Sequence, residues 1–112
     1  MSARDIVLSP VVIGELQVGV ETSRMKAASR AALDVLITSF ACANIDLEAA
    51  RCYGRIRGLL ESEGQPIGGN DYWIAAQAVA LELVLVTDNT REFQRIEGLR
   101  LENWLRADQV PR

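Results

Sequence analysis

Residues 68–93, GGNDYWIAAQAVALELVLVTDNTREF, constrain the fold more than any other part of the chain. Their first half predicts a helix from Asp71 to about residue 82 that is apolar nearly all the way round. Their second half holds the run LVLV, in which apolar residues occupy consecutive positions rather than alternating ones. Such a run is typical of a parallel strand that is covered on both faces, at residues 83–87 here. The segment therefore predicts an α/β fold with a parallel sheet flanked by helices.

The rest of the chain repeats the alternation of strands and helices. Further strands are expected at residues 5–9, within residues 38–46 and at residues 99–104, and further helices at residues 10–21, 23–37, 47–63 and 90–94. Pro10 suits a first helical turn, and Ser9 and Asp46 are placed to cap the helices that follow them. In the helix at residues 23–37, the predicted buried stripe consists of Met25, Ala28, Ala32, Val35 and Leu36.

Length and composition predict one compact domain. The chain has 112 residues, of which 49% are hydrophobic and 24% charged, so we expect a single domain over residues 1–112 with one core. No apolar run reaches the roughly 18 residues that a membrane span needs. The N-terminus also lacks the charged start and long apolar core of a secretion signal. We therefore expect a cytoplasmic protein with no membrane partner.

The residue types that are missing exclude several kinds of catalytic site. The chain contains no histidine, which excludes Ser-His-Asp and Cys-His catalysis and His-ligated zinc. Cys42 and Cys52 form no CxxC pair, so we assign them neither a disulfide nor a zinc site. The formal net charge of -3 is unlike that of a dedicated nucleic-acid binder, although a local cluster of basic residues leaves a nucleic-acid substrate open.

Acidic and polar side chains flank the segments that look built for burial. Glu15 falls three or four residues from apolar neighbours on its helix, Asp71 opens a helix, and Asp88, Asn89 and Glu92 follow the LVLV strand. Because ligands gather outside the carboxyl ends of parallel strands, we expect these side chains to converge on one rim. An oxygen-rich set without histidine suits Mg²⁺ or Mn²⁺, which can activate water for attack on a phosphate.

Each of these residues also has a structural interpretation. Asp71 can complement the helix dipole after Asn70 as the cap, and Glu92 can pair with Arg91 or Arg95 on a solvated face. Asp88 and Asn89 stand where turns favour such residues. Glu15 can be a partly exposed residue paired with an arginine. If it is buried without a partner, its desolvation costs several kcal/mol.

Long stretches of the sequence resemble a known enzyme family. The segments SPVVIGELQVGVE and YGRIRGLL, and the series G-x-N-D-x-x-I-A-A, L-V-T-x-N-T-R-E-F and G-L-R-x-E-N-W, are similar to the PIN-domain ribonucleases of the VapC toxin type. The resemblance covers nearly all of the chain. It implies an Mg²⁺- or Mn²⁺-dependent endoribonuclease that acts on RNA, is held silent by a cognate antitoxin and is usually a dimer.

The resemblance also implies roles for particular residues. Glu15 matches the acidic residue of the family's E-L-x-x-G helix, and Asp71 matches its N-D-x-x-I-A-A aspartate, so both are expected to hold the metal. Glu92 matches the acidic position after the strand, where it and Asp88 are expected to position or deprotonate the water. Asp88 replaces an asparagine that is usual in the family. Asn89 and Arg91 are expected to bind the RNA substrate.

One departure from the family pattern concerns the N-terminus. VapC-like chains open with a strand that ends in an L-D-T-N segment, whose aspartate is the first metal ligand, and this sequence begins at what resembles the second strand. We therefore expect an N-terminally truncated PIN-like fold that lacks the first central strand and the helices after it. A homodimer, for example with exchanged strands, would cover the unpaired backbone. The alternative to an active ribonuclease is a catalytically impaired PIN-like module that serves binding or assembly.

Overall fold

The computed structural model describes residues 6–87 and 89–103, and the chain divides into two compact units between Ile45 and Asp46. Of the helices in this described part, none combines the length and the apolar character needed to span a membrane. The predicted strand at residues 99–104 extends to Trp104, which lies outside the described residues.

The N-terminal unit packs two helices with a small parallel sheet. Its elements are β1 (Val7–Leu8), α1 (Pro10–Thr22), α2 (Lys26–Ser39) and β2 (Ala41–Cys42). β1 and β2 are parallel, with Val7 opposite Ala41 and Leu8 opposite Cys42. The predicted cap of α1 is confirmed, because the Ser9 hydroxyl accepts a 3.1 Å hydrogen bond from the Val11 amide and Pro10 is the first helical residue.

The buried stripe of α2 is not the predicted one. Leu33 is buried, whereas Met25 and Val35 are 71% and 63% exposed. The helix begins at Lys26 rather than Ser23, so Met25 lies just outside it. Ser29 also occupies the inner face, where its hydroxyl donates to the Ser23 hydroxyl at 2.9 Å. A polar residue on the inner face makes the apolar pattern a poor guide to the orientation of this helix.

The C-terminal unit contains the larger core. Its elements are α3 (Leu47–Ser62), α4 (Gly69–Ala80), β3 (Val84–Val86), α5 (Thr90–Phe93) and β4 (Arg100–Glu102). The buried residues of the core cluster are Leu60, Tyr72, Ala75, Phe93 and Ile96. They come from α3, α4, α5 and the turn after α5. These contacts hold α4 beside the end of α5.

The ends of α3 follow local sequence signals. The Asp46 carboxylate accepts a 2.9 Å hydrogen bond from the Ala49 amide, which confirms the predicted cap. At the other end, Gly64 has a φ of +68°, in the left-handed region that glycine adopts without strain. The Gly64 and Gln65 amides donate to the Glu61 and Leu60 carbonyls, as in a Schellman motif.

The predicted α/β class with parallel strands is confirmed, and the strands form two small sheets in the described part of the chain. β3 and β4 are parallel, with Val84, Leu85 and Val86 opposite Arg100, Leu101 and Glu102. The expectation that the LVLV strand is covered on both faces is wrong, because Val84 and Val86 are each 39% exposed. Only the face that bears Leu85 packs against the core cluster.

Candidate functional site: two carboxylates at the start of α4

Gly68 forms the N-terminal cap of α4, and Asp71 lies in the first turn of that helix. The Asp71 side chain folds back towards the cap, because its Oδ2 lies 3.3 Å from the point where a β-carbon on Gly68 would stand. Asp71 is half-buried. The helix dipole favours a carboxylate at this end of α4.

Glu92 brings a second carboxylate to the same place from α5. Its Oε1 accepts a 3.0 Å hydrogen bond from the Gly68 amide, and its Oε2 accepts a 2.6 Å bond from Nδ2 of Asn89. Charge-assisted bonds of this kind are stronger than bonds between neutral groups. Asp71 and Glu92 therefore both approach Gly68, although they are 21 positions apart in the sequence.

Hydrogen bonds hold this arrangement from two sides. The Asn89 amide donates to the Thr87 hydroxyl at 3.0 Å, which ties the start of α5 to the residue after β3. Nη1 of Arg95 donates to the Pro66 carbonyl at 3.3 Å, two residues before Gly68. The segment around α5 is thus tied to the loop before α4 at two points.

The structure brings together three of the six predicted site residues, Asp71, Asn89 and Glu92, at one edge of the C-terminal unit. Asp88 lies outside the described residues. Arg91 is exposed on α5, and Glu15 is exposed on α1 in the N-terminal unit. Among the apolar neighbours of Glu15 on α1, Val11 and Val12 are half-buried and Val18 is 62% exposed, and the Glu15 side chain itself is exposed. No desolvation cost therefore requires a partner for Glu15.

Two structural interpretations from the sequence are corrected. The cap of α4 is Gly68, and Asn70 lies within the helix. Glu92 bonds to Gly68 and Asn89, and among the ion pairs of the described residues none joins it to Arg91 or Arg95. The guanidinium of Arg95 donates to the Pro66 carbonyl instead.

The electrostatics of the site rest on protein donors. The Gly68 amide, the Asn89 amide group and the positive end of the α4 dipole all stabilise negative charge here. Within residues 6–87 and 89–103, no three His, Cys, Asp or Glu side chains group closely enough to hold a metal ion together. Mg²⁺ is commonly held by one or two carboxylates with water and substrate phosphates, so Asp71, with Glu92 beside it at Gly68, fits such an ion.

Gly68 is the site residue that the sequence did not reveal. Glycine is an accepted N-terminal cap, and the GGND segment carried that signal. Its amide donates to a side chain 24 positions away, and no local pattern encodes such a bond.

Comparison with known proteins identifies the family. Residues 1–99 match the PIN domain. The chain belongs to the PIN domain family. This PIN domain is 39% identical over 99 residues to Ribonuclease VapC2 of Rickettsia felis, an alignment that covers 88% of the chain and 74% of that relative. It is 38% identical over 97 residues to the tRNA(fMet)-specific endonuclease VapC of Shigella flexneri, covering 87% and 74%. The resemblance to the VapC type is thereby confirmed.

Solved structures support the fold of this PIN domain. VapBC2 of Rickettsia felis, bound to a promoter DNA fragment, superposes with a TM-score of 0.84 at 39% identity over 88% of this chain and 74% of that one. VapBC-1 of nontypeable Haemophilus influenzae superposes with a TM-score of 0.88 at 32% identity over 95% and 79%. These likenesses confirm the predicted PIN-like fold.

Proposed function

We propose that this chain is a divalent-metal-dependent endoribonuclease and the toxin of a type II toxin–antitoxin module. The observation that carries the proposal is the approach of Asp71 and Glu92 to Gly68 in a PIN domain whose relatives are named ribonucleases. Carboxylates gathered at one edge, without histidine or thiolate, are the donors that Mg²⁺ and Mn²⁺ prefer. Residues 1–112 act as one PIN-like domain in this proposal.

The proposed site residues divide into two groups. Asp71 holds the ion, and Asp88 and Glu92 complete the acidic site; the assignment of Glu15 as a metal ligand rests on the family resemblance alone. When bound, Mg²⁺ or Mn²⁺ supplies an activated water and offsets charge on the scissile phosphate. Asn89 and Arg91 bind the RNA backbone. Asn89 uses one amide hydrogen on Glu92 and keeps a second donor, while the exposed Arg91 offers a guanidinium fork suited to a phosphate.

The proposal includes protein partners and a cellular location. The superposed VapBC structures support a cognate antitoxin as partner. The N-terminal unit exposes large apolar side chains, among them Val18, Met25 and Val35, and such surface supports burial against another protein. A homodimer is the second expected assembly, and light scattering of the purified chain measures it. Because the proposed substrate is RNA, the proposed location of the enzyme is the cytoplasm.

RNA cleavage by the purified chain tests the proposed function. Total RNA and tRNA are incubated with the chain in Mg²⁺ or Mn²⁺ and, separately, in a chelator. We expect cleavage that needs the ion and falls at least ~10-fold in Asp71→Asn, because loss even of an outer-shell partner typically costs that much. Asp34→Asn, an exposed change on α2, is the control and leaves cleavage intact. Ion-independent cleavage, or none with either RNA, would overturn the proposal, and absent cleavage favours the impaired binding module.

A further inference from the structure

We infer that Glu92 is a positioning residue that holds the first turn of α4, and with it Asp71, and that it touches neither the ion nor the RNA. The inference rests on the proposed function and departs from it in the role of one carboxylate. It assigns the metal contact at this edge to Asp71.

The hydrogen bonds of Glu92 support this role. Both of its oxygens accept from protein donors, Oε1 from the Gly68 amide at 3.0 Å and Oε2 from the Asn89 amide group at 2.6 Å. The two donors lie on different segments, one before α4 and one before α5. The carboxylate therefore works as a bridge between the starts of two helices.

The helix cap explains why the bridge acts on Asp71. The amide of a capping residue is one of the four donors that a helix cannot satisfy internally. In a capping box, the acidic side chain at the third helical position bonds to that amide. Asp71 holds this third position in α4, but the Gly68 amide donates to Glu92. The conformation of the first turn of α4 thus depends on a side chain from α5.

The position of the Asp71 carboxylate depends on the position of the cap, because the carboxylate lies close to Gly68. Asp71 Oδ2 lies 3.3 Å from the β-carbon point of Gly68, so a displaced cap would move the carboxylate or collide with it. The bond from Arg95 to the Pro66 carbonyl ties the same loop to the second residue after α5. Glu92 holds the amide of Gly68, the residue against which the Asp71 carboxylate lies.

Two substitutions at position 92 separate positioning from ion contact. Glu92→Gln keeps an oxygen for the Gly68 amide, and a flipped Asn89 amide can then accept from the new amide group, so both bonds survive without the charge. Glu92→Ala removes both bonds. The backbone amide resonances of residues 68–71, recorded in the metal-free chain, show whether the cap keeps its conformation. Titration with Mn²⁺ alone measures the affinity for the ion.

We expect Glu92→Gln to keep the resonances of residues 68–71 and to bind Mn²⁺ within about threefold of the unaltered chain. We expect Glu92→Ala to shift those resonances and to weaken Mn²⁺ binding at least ~10-fold, as loss of an outer-shell partner does. The inference fails if Glu92→Gln weakens Mn²⁺ binding as much as Asp71→Asn, or if Glu92→Ala leaves the resonances unchanged. If the unaltered chain binds no Mn²⁺, the proposed function fails, and the resonances still decide whether Glu92 holds the cap.

Discussion

Oδ2 of Asp71 lies 3.3 Å from the point where a β-carbon on Gly68 would stand. A methyl group at that point requires the carboxylate to move by a few tenths of an ångström. Gly69, the next residue, has no atom within 4 Å of its β-carbon point. The two adjacent glycines thus differ in this contact and in helical position, because Gly68 is the cap, where glycine is preferred to alanine, and Gly69 is the first helical residue.

We expect Gly68→Ala to be less stable than Gly69→Ala. Both changes reduce the freedom of the unfolded chain, which stabilises a protein by about 0.4–1 kcal/mol where the backbone permits alanine. In Gly68→Ala the displaced Asp71 side chain offsets this gain by about 0.5–1.5 kcal/mol, the cost of an off-rotamer side chain. Loss of a preferred capping residue acts in the same direction. Urea unfolding measures both variants, and equal free energies of unfolding would contradict both the contact and the assignment of Gly68 as the cap.

We expect alanine substitutions at Gly64 and at Gly58 to have opposite effects on stability. Gly64 has a φ of +68°, where alanine is strained by about 1–2 kcal/mol. Gly58 lies in the interior of α3 with no atom within 4 Å of its β-carbon point, so alanine there stabilises by about 0.5–1 kcal/mol. Thermal unfolding should lower the melting temperature for Gly64→Ala and raise it for Gly58→Ala. The same sign for both would show that the end of α3 is wrongly described.

Leu60 and Leu59 test the core of the C-terminal unit. Leu60 is 1% exposed and packs in the cluster with Tyr72 and Phe93, whereas Leu59 is 50% exposed. We expect Leu60→Ala to lower the free energy of unfolding by about 2–5 kcal/mol, because it removes buried methyl groups and leaves a cavity. Leu59→Ala should lie within about 0.5 kcal/mol of the unaltered chain. A large loss at Leu59 would mean that another surface covers this residue.

We expect Glu21 to make the stability of the N-terminal unit depend on pH. The hydrogen bond from Gln17, at 2.7 Å, and the positive charges of Lys26 and Arg30 hold the pKa of Glu21 below its ordinary value. A lowered pKa stabilises the fold above the unfolded-state pKa, about 4.3, and the contribution is lost as the pH falls through the folded-state pKa. The stability difference between the unaltered chain and Glu21→Gln should therefore be present at pH 7 and vanish in acid.

Gln17→Ala provides the internal check on this prediction, since it removes the largest cause of the pKa shift. In that background the pH-dependent difference should shrink. A difference that grows in acid would have the wrong sign for a lowered pKa.

Local sequence signals predicted much of the fold. Ser9 and Asp46 cap the helices assigned to them, because a capping side chain bonds to an amide two or three residues away. Leu33 was missed because the orientation of α2 depends on tertiary contacts, and the polar Ser29 on the inner face obscures the periodicity. The exposure of Val84 and Val86 could not be predicted, because an apolar run does not show whether a neighbouring layer covers the strand.

Some features of the candidate site could likewise be predicted from the sequence, and others could not. The rule that ligands gather outside the carboxyl ends of parallel strands predicted that Asp71 and Glu92 converge, and in the structure both side chains approach Gly68. The bond from the Gly68 amide to Glu92 could not be predicted, since a backbone donor has no residue type to reveal it. The identity of the α4 cap likewise depended on the loop conformation.

The central claim is that Asp71 holds a divalent ion, and a calorimetric titration with Mn²⁺ tests it most directly. The unaltered chain, Asp71→Asn and the control Asp34→Asn are titrated under identical conditions. We predict that the unaltered chain and the control bind Mn²⁺ with the same affinity and that Asp71→Asn binds at least ~10-fold more weakly. Equal affinities and heats for all three proteins would contradict the account.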